Sequence, residues 1–115
     1  MTLKGEGVLL RIFLGEADRV DGRQLFEAIV HCARSKGLAG ATVLRGVEGF
    51  GAHSRIHKTK LLELSDDLPI VVEIADTEEK IEELLVDVDT LIEKAGCGAM
   101  VTTEPIHVRR YRAGK

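Results

Sequence analysis

At 115 residues, 44% of them hydrophobic and 30% charged, the chain is long enough for one domain with a modest core and too short for two. Aromatic residues make up 3% and the formal net charge is −3, which excludes a broad nucleic-acid-binding surface, because that needs a basic field or stacking platforms. No apolar run reaches the length of a bilayer span, and Met1–Glu6 lacks the apolar core of a secretory signal, so the cytoplasm is the expected compartment.

Val8 to Leu14 is nearly continuously apolar, with Arg11 the one charge, and reads as a central strand. Asp21 with Gln24 three positions later reads as a helix cap. Leu25, Phe26, Ile29, Val30 and Ala33 then recur at helical spacing, which predicts a helix from about Gly22 to Lys36. Cys32 lies inside that pattern and Cys97 far beyond it, in no metal-like spacing, so buried thiols are expected and a structural disulfide is not. Ala41–Arg45, Lys60–Leu64 and Ile70–Ile74 are β-favouring runs, with Pro69 at the start or edge of the last.

Asp76 with Glu79 gives a second capping signal. Ile81, Leu84, Leu85, Val88, Leu91, Ile92 and Ala95 form the apolar stripe of a long helix ending at Gly96, and Glu82, Glu83, Asp87 and Glu93 form its solvated face. Gly98–Thr103 and Ile106–Tyr111 read as two closing strands separated by Pro105. The order strand, helix, strand, strand, helix, strand, with an extra C-terminal strand, predicts an α+β fold: a ferredoxin-like βαββαβ sandwich with both helices on one face of an antiparallel sheet. Leu9, Phe13 and Val71 leave the other face apolar, and a closed cyclic oligomer would cover it.

Between the second and third predicted strands lies the segment of greatest chemical interest. Gly46, Gly49 and Gly51 break a strand pattern and are followed by His53, Arg55, His57, Lys58 and Lys60. Glycines let a ligand approach the main chain, so they mark a candidate site. The plain alternative is a loop whose charges are merely solvated. Residues 52 to 60 carry small and basic side chains with Ile56 the one apolar anchor, so the loop is expected to be mobile until a phosphate or a partner orders it.

The run Gly46-Val47-Glu48-Gly49-Phe50-Gly51, the basic loop with His57, and Leu68-Pro69-Ile70-Val71-Val72-Glu73-Ile74 resemble the PII signalling proteins. Val108-Arg109-Arg110-Tyr111-Arg112-Ala113-Gly114 is similar to the Arg-x-Arg-x-Gly segment of that family. Closer still, Gly37 to Gly51 together with Leu64-Ser65-x-Asp67-Leu68-Pro69 resembles a family of small PII-like proteins of uncharacterised function, over nearly the whole chain from Leu10 to Tyr111.

The resemblance implies a homotrimer with an adenine nucleotide (AMP, ADP or ATP) as effector in the clefts between subunits. It places Arg45, Gly46, Gly49, Phe50 and Gly51 beside the ligand, Gly96, Cys97 and Gly98 around the phosphates, and Arg110 with Arg112 as phosphate partners. It further implies that residues 51–60 signal to a protein target, with a membrane transporter as one candidate. Elementary chemistry points the same way, because glycine turns form anion nests and guanidinium forks match phosphate oxygens. Two features depart from PII proteins: the loop is short and lacks a tyrosine, and Gly96-Cys97-Gly98-Ala99 lacks the lysine of their phosphate loop.

Rival readings are a CutA-like divalent-metal-handling protein and a small nucleotide hydrolase. His53 and His57 stand four apart, yet no carboxylate or thiol sits at ligand spacing beside them. Ser54 near His57 lacks an orienting carboxylate. The expectation is a binding protein with no metal and no catalytic residue.

Overall fold

The computed structural model describes residues 2–51, 57–58 and 67–114. In chain order the elements are β1 (Thr2–Gly15), β2 (Arg19–Val20), β3 (Arg23–Gln24), α1 (Leu25–Ser35), β4 (Thr42–Arg45), β5 (Glu48–Gly49), β6 (His57–Lys58), β7 (Pro69–Asp76), α2 (Glu78–Ala95) and β8 (Met100–Arg112). Four strands form an antiparallel sheet in the order β4-β7-β1-β8, and both helices pack on one of its faces. This is the ferredoxin-like α+β sandwich expected from the element order.

Period-two alternation builds the core. On β1, Leu10, Ile12 and Leu14 face the helices; on β7, Ile70, Val72 and Ile74 do, all of them buried. Against them α1 sets Leu25, Ala28, Ile29 and Ala33, and α2 sets Ile81, Leu84 and Val88. Each fully buried aliphatic side chain stabilises the fold by roughly 1.5–3 kcal/mol.

The opposite sheet face carries the row Leu44, Val71, Phe13 and Met100, aligned across all four strands. Phe13, Leu44 and Met100 are exposed. One step along, Arg11 donates to Glu73 at 2.9 Å and to Glu104 at 2.7 Å, a triad lying on that same face. The apolar face inferred from Leu9, Phe13 and Val71 is therefore present, with an ionic stripe across it.

Several boundaries differ from expectation for identifiable reasons. Asp21 does not cap α1; Asp21 and Gly22 both take positive φ (51° and 79°) in the two-residue turn between β2 and β3. Asp-Gly favours this turn because both central residues must be left-handed. The helix therefore begins at Leu25, with Gln24 at its N-cap making no side-chain cap bond. For α2 the cap is Thr77, whose hydroxyl accepts from Lys80 N at 3.3 Å. Asp76, fully buried, accepts instead from Thr77 N at 2.7 Å and Ala39 N at 2.8 Å. Gly96 ends the helix in the left-handed conformation, as its position predicts.

The two closing strands, including the expected extra C-terminal strand, are one continuous 13-residue strand, β8, running through Pro105. Pro105 is tolerated because β8 is an edge with β1 as its one neighbour, so the missing N–H breaks no second ladder. The predicted strand Lys60–Leu64 lies outside the described residues.

Candidate functional site

At one end of the sheet a cavity of about 560 Å³ opens where β1 finishes and β7 and β8 begin. Phe13, Leu14, Gly15 and Asp18 form one wall, Asp67 to Val71 a second, Gly49, Phe50 and Gly51 a third, and Gly98, Ala99 and Met100 the fourth. An apolar pocket with a few convergent polar groups is the ordinary form of a small-molecule site. Two segments singled out in the sequence, the turn at Gly49–Gly51 and the turn after α2, thus meet at one place.

The wall at Gly15 is built closely. Asp18 accepts from Gly15 N at 2.8 Å, Asp67 accepts from Ala17 N at 3.1 Å, and Glu16 N donates to the Leu68 carbonyl at 2.9 Å. A Cβ on Gly15 would stand 2.5 Å from the Asp67 carboxylate, so no larger residue fits without moving it. Asp18 and Asp67 are the ionisable side chains among the described lining residues, and no basic one accompanies them. Carboxylates in such a wall accept hydrogen bonds from hydroxyl or amino groups.

The other expected nucleotide residues divide in two. Gly46 is fixed by packing: its N–H donates to the Pro69 carbonyl at 2.7 Å, and a Cβ there would come 2.8 Å from Pro69 Cγ. Gly49 is held less closely, at 3.3 Å from the same atom. Among the described residues nothing lies within 4 Å of a Cβ on Gly51, and Phe50 is 69% exposed at the cavity. At Gly46 and Gly49 the close neighbour is Pro69. Arg45 forms an ion pair with Glu16 rather than reaching the cavity. Gly96 serves helix termination. Cys97 packs against the core, where burial and then the adjacent Asp18 push its thiol above the ordinary cysteine value, so it stays protonated.

Arg110 and Arg112 are exposed at the far end of β8, where Arg112 pairs with Thr2. Met100, at the other end of that strand, lines the cavity. At the usual strand rise, Arg110 stands roughly 33 Å from Met100. Within one subunit the structure does not bring the arginines to the glycine turns. Of the basic loop, His57 and Lys58 form β6, whose backbone pairs with β5 (Gly49↔His57, Glu48↔Lys58); His53, Arg55 and Lys60 lie outside the described residues, as does Ser54.

Sequence reasoning passed over Asp18 as a site residue and did not give Asp67 a role. For Asp18 the available signal was turn chemistry, since Gly15-x-x-Asp18 after an apolar strand is a turn closed by the Asp18 side chain; Asp67 reaches Ala17 N across 50 residues, which leaves no local signal. Among the described residues no group of His, Cys, Asp and Glu is arranged to hold a metal ion, and no helix is long and apolar enough to cross a membrane.

The fold and the cavity can be set beside known proteins. The UPF0166 protein of Aquifex aeolicus (strain VF5) is 38% identical over 100 residues, covering 87% of this chain and 90% of that protein. Among solved structures, CPII from Thiomonas intermedia K12, a nitrogen regulatory PII-like protein bound to ADP, AMP and bicarbonate, superposes with a TM-score of 0.67 at 23% identity, covering 90% of this chain and 88% of that chain. CutA1 from Oryza sativa superposes less well, with a TM-score of 0.56 at 13% identity, covering 97% and 85%. The fold is thus that of PII-like proteins. The model of the DUF190 family, described as "Uncharacterized ACR", matches residues 7–108, and the chain belongs to that family.

Proposed function

We propose that this protein is a PII-like regulator that binds an adenine nucleotide in clefts between the subunits of a homotrimer. The observation that carries the reading is the cavity, where the Gly49–Gly51 turn and the Gly98–Ala99 turn converge on apolar walls and the Asp18 and Asp67 carboxylates. That lining suits a nucleoside, whose ring needs an apolar slot and whose hydroxyl and amino groups need acceptors. Adenine nucleotides bound to CPII, a protein of the same fold, support the choice of ligand.

Phosphates need cations, and the described lining residues offer none. Arg110 and Arg112, remote within one chain, would come from a neighbouring copy. The exposed row of Leu44, Phe13 and Met100 gives that neighbour an apolar surface to cover. Occupancy would be read through residues 51–60 by a protein target, a membrane transporter being one candidate, in the cytoplasm. The nucleotide is returned unchanged, because the protein binds and does not catalyse.

Calorimetric titration of AMP, ADP and ATP, with chromatography of the recovered nucleotide and amide hydrogen exchange over residues 51–60, tests this reading. Saturable binding, intact nucleotide and altered exchange in the loop are expected. No binding of any of the three would overturn it; hydrolysed nucleotide would favour the hydrolase, and binding of divalent cations alone would favour a CutA-like role.

A further inference from the structure

The last four residues of β8 are held in an unusual way. The β1–β8 ladder runs regularly from Phe13↔Met100 to Gly5↔Val108, then shifts register before Leu3↔Tyr111. Between those pairs, Lys4 alone stands opposite Arg109 and Arg110, and Gly5 takes φ 101°. A bulge of this kind re-aims the side chains beyond it and weakens the local ladder. Arg110 thus sits in the break and Arg112 beyond it, on an edge strand of the described sheet. A ladder so interrupted fixes their direction poorly.

Tyr111, between them, is anchored to the body of the domain. Its hydroxyl donates to the Ala39 carbonyl at 2.9 Å, across 72 residues of sequence. Ala39 is itself held: its N–H donates to Asp76 Oδ2 at 2.8 Å. Asp76 is 0% exposed, and its second oxygen accepts from Thr77 N at the start of α2. The turn before Ala39 is tied as well, with Lys80 Nζ donating to the Gly37 carbonyl at 3.0 Å. The phenol therefore ends a chain of hydrogen bonds rooted in a buried carboxylate.

We propose that Tyr111 is a positioning residue: through Ala39 and Asp76 it sets the direction in which Arg110 and Arg112 meet the phosphates of a bound nucleotide. The inference rests on the nucleotide-binding reading above. An arginine fork gains its advantage over a point charge only when its plane is aligned with the phosphate oxygens, so a loosened strand end loses that advantage first. The contribution should grow with the number of phosphates, because the nucleoside is held elsewhere.

Tyr111→Phe removes the hydroxyl and keeps the ring. Calorimetry of the intact protein with ADP and with AMP, at a temperature well below the melting point, reads the result as a ratio. We expect ADP affinity to fall about tenfold, the loss of one well-placed charged hydrogen bond, and AMP affinity to fall less. A merely structural role lowers the melting temperature and leaves the ADP-to-AMP affinity ratio untouched; that outcome overturns the proposal. Asp76→Asn, which disturbs the root of the same chain without changing volume, must move the ratio in the same direction, and an unchanged ratio there also overturns it. Failure of the parent protein to bind either nucleotide would remove the nucleotide reading itself, a result distinct from equal binding by parent and variant.

Discussion

The two ends of β8 are chemical opposites. At its start, Met100 borders a cavity walled by aliphatic side chains, glycine turns and the carboxylates of Asp18 and Asp67. At its finish, Arg109, Arg110 and Arg112 project from a bulged, exposed ribbon. One end offers a slot without a described cation, and the other offers cations without a slot. A nucleotide needs both. On the proposed reading the contrast means a site divided between copies, with the apolar sheet face between the two ends bringing one copy's slot to another copy's arginines.

The largest effect should come from separating the copies. Leu44→Asp, in the exposed apolar row but outside the cavity lining, puts a charge where burial in an interface without a partner costs about 3–5 kcal/mol. Light scattering should then report monomers, and ADP binding should be lost although both ends of β8 are chemically intact. A monomer that still binds ADP would show that one chain carries a whole site.

Next in size are the arginines. Arg110→Ala or Arg112→Ala should weaken ADP binding by about 1.5–3 kcal/mol, the range for a hydrogen bond to a charged group. Urea denaturation should change by under about 0.5 kcal/mol, because both side chains are exposed. If calorimetry shows unchanged affinity in both variants, the basic end has no part in the site.

The glycines sharpen the cavity end. Gly15→Ala and Gly46→Ala would set a Cβ 2.5 Å from Asp67 and 2.8 Å from Pro69 respectively. Each should destabilise the fold by roughly 1–3 kcal/mol, the usual cost of overpacking. Gly51→Ala meets no described residue within 4 Å and should leave stability within about 0.5 kcal/mol. Urea midpoints that do not separate the first two from the third would contradict the packing described at Pro69 and Asp67.

Smallest is a pH effect remote from both ends. Lys36 lies 3.0 Å from Asp87, and that hydrogen bond holds the Asp87 carboxyl below the usual carboxylate range and the Lys36 ammonium above the usual lysine value. A depressed acid contributes stability above its unfolded pKa and loses it as pH falls through the folded one. A raised ammonium contributes below its unfolded value and loses that as pH rises through its folded value. Lys36→Met should therefore flatten the acid limb of a stability-against-pH curve without altering ADP binding at neutral pH.

The frame of the fold was legible because it is periodic. Leu10, Ile12 and Leu14, or Ile81, Leu84 and Val88, declare their faces by spacing alone. What misled was local polar chemistry with two readings. Asp21 looked like a cap and proved to be half of a left-handed turn, while Asp76 looked like a cap and proved to be a buried anchor for Ala39. Neither difference is visible in spacing, because each depends on a partner distant in sequence or on the sign of φ.

The candidate site was legible in part for the same reason. Resemblance pointed to Gly49, Gly51 and Gly98, which meet at the cavity. Gly46 and Gly96 carry the same residue type for packing and helix termination. That Arg110 and Arg112 stand at the opposite end of the sheet follows from β8 being one strand, where Pro105 had suggested two.

Mixing two silent variants tests the division most directly. Gly51→Trp fills the cavity mouth at a position where no described residue lies within 4 Å of a Cβ, and the double variant Arg110→Ala with Arg112→Ala removes the cations. Each alone should fail to bind ADP. Co-expressed, they should form mixed oligomers in which an intact slot of one chain faces intact arginines of another, and calorimetry should recover ADP binding at a fraction of the sites. Mixed oligomers confirmed by mass spectrometry that bind no ADP would contradict a site shared between copies.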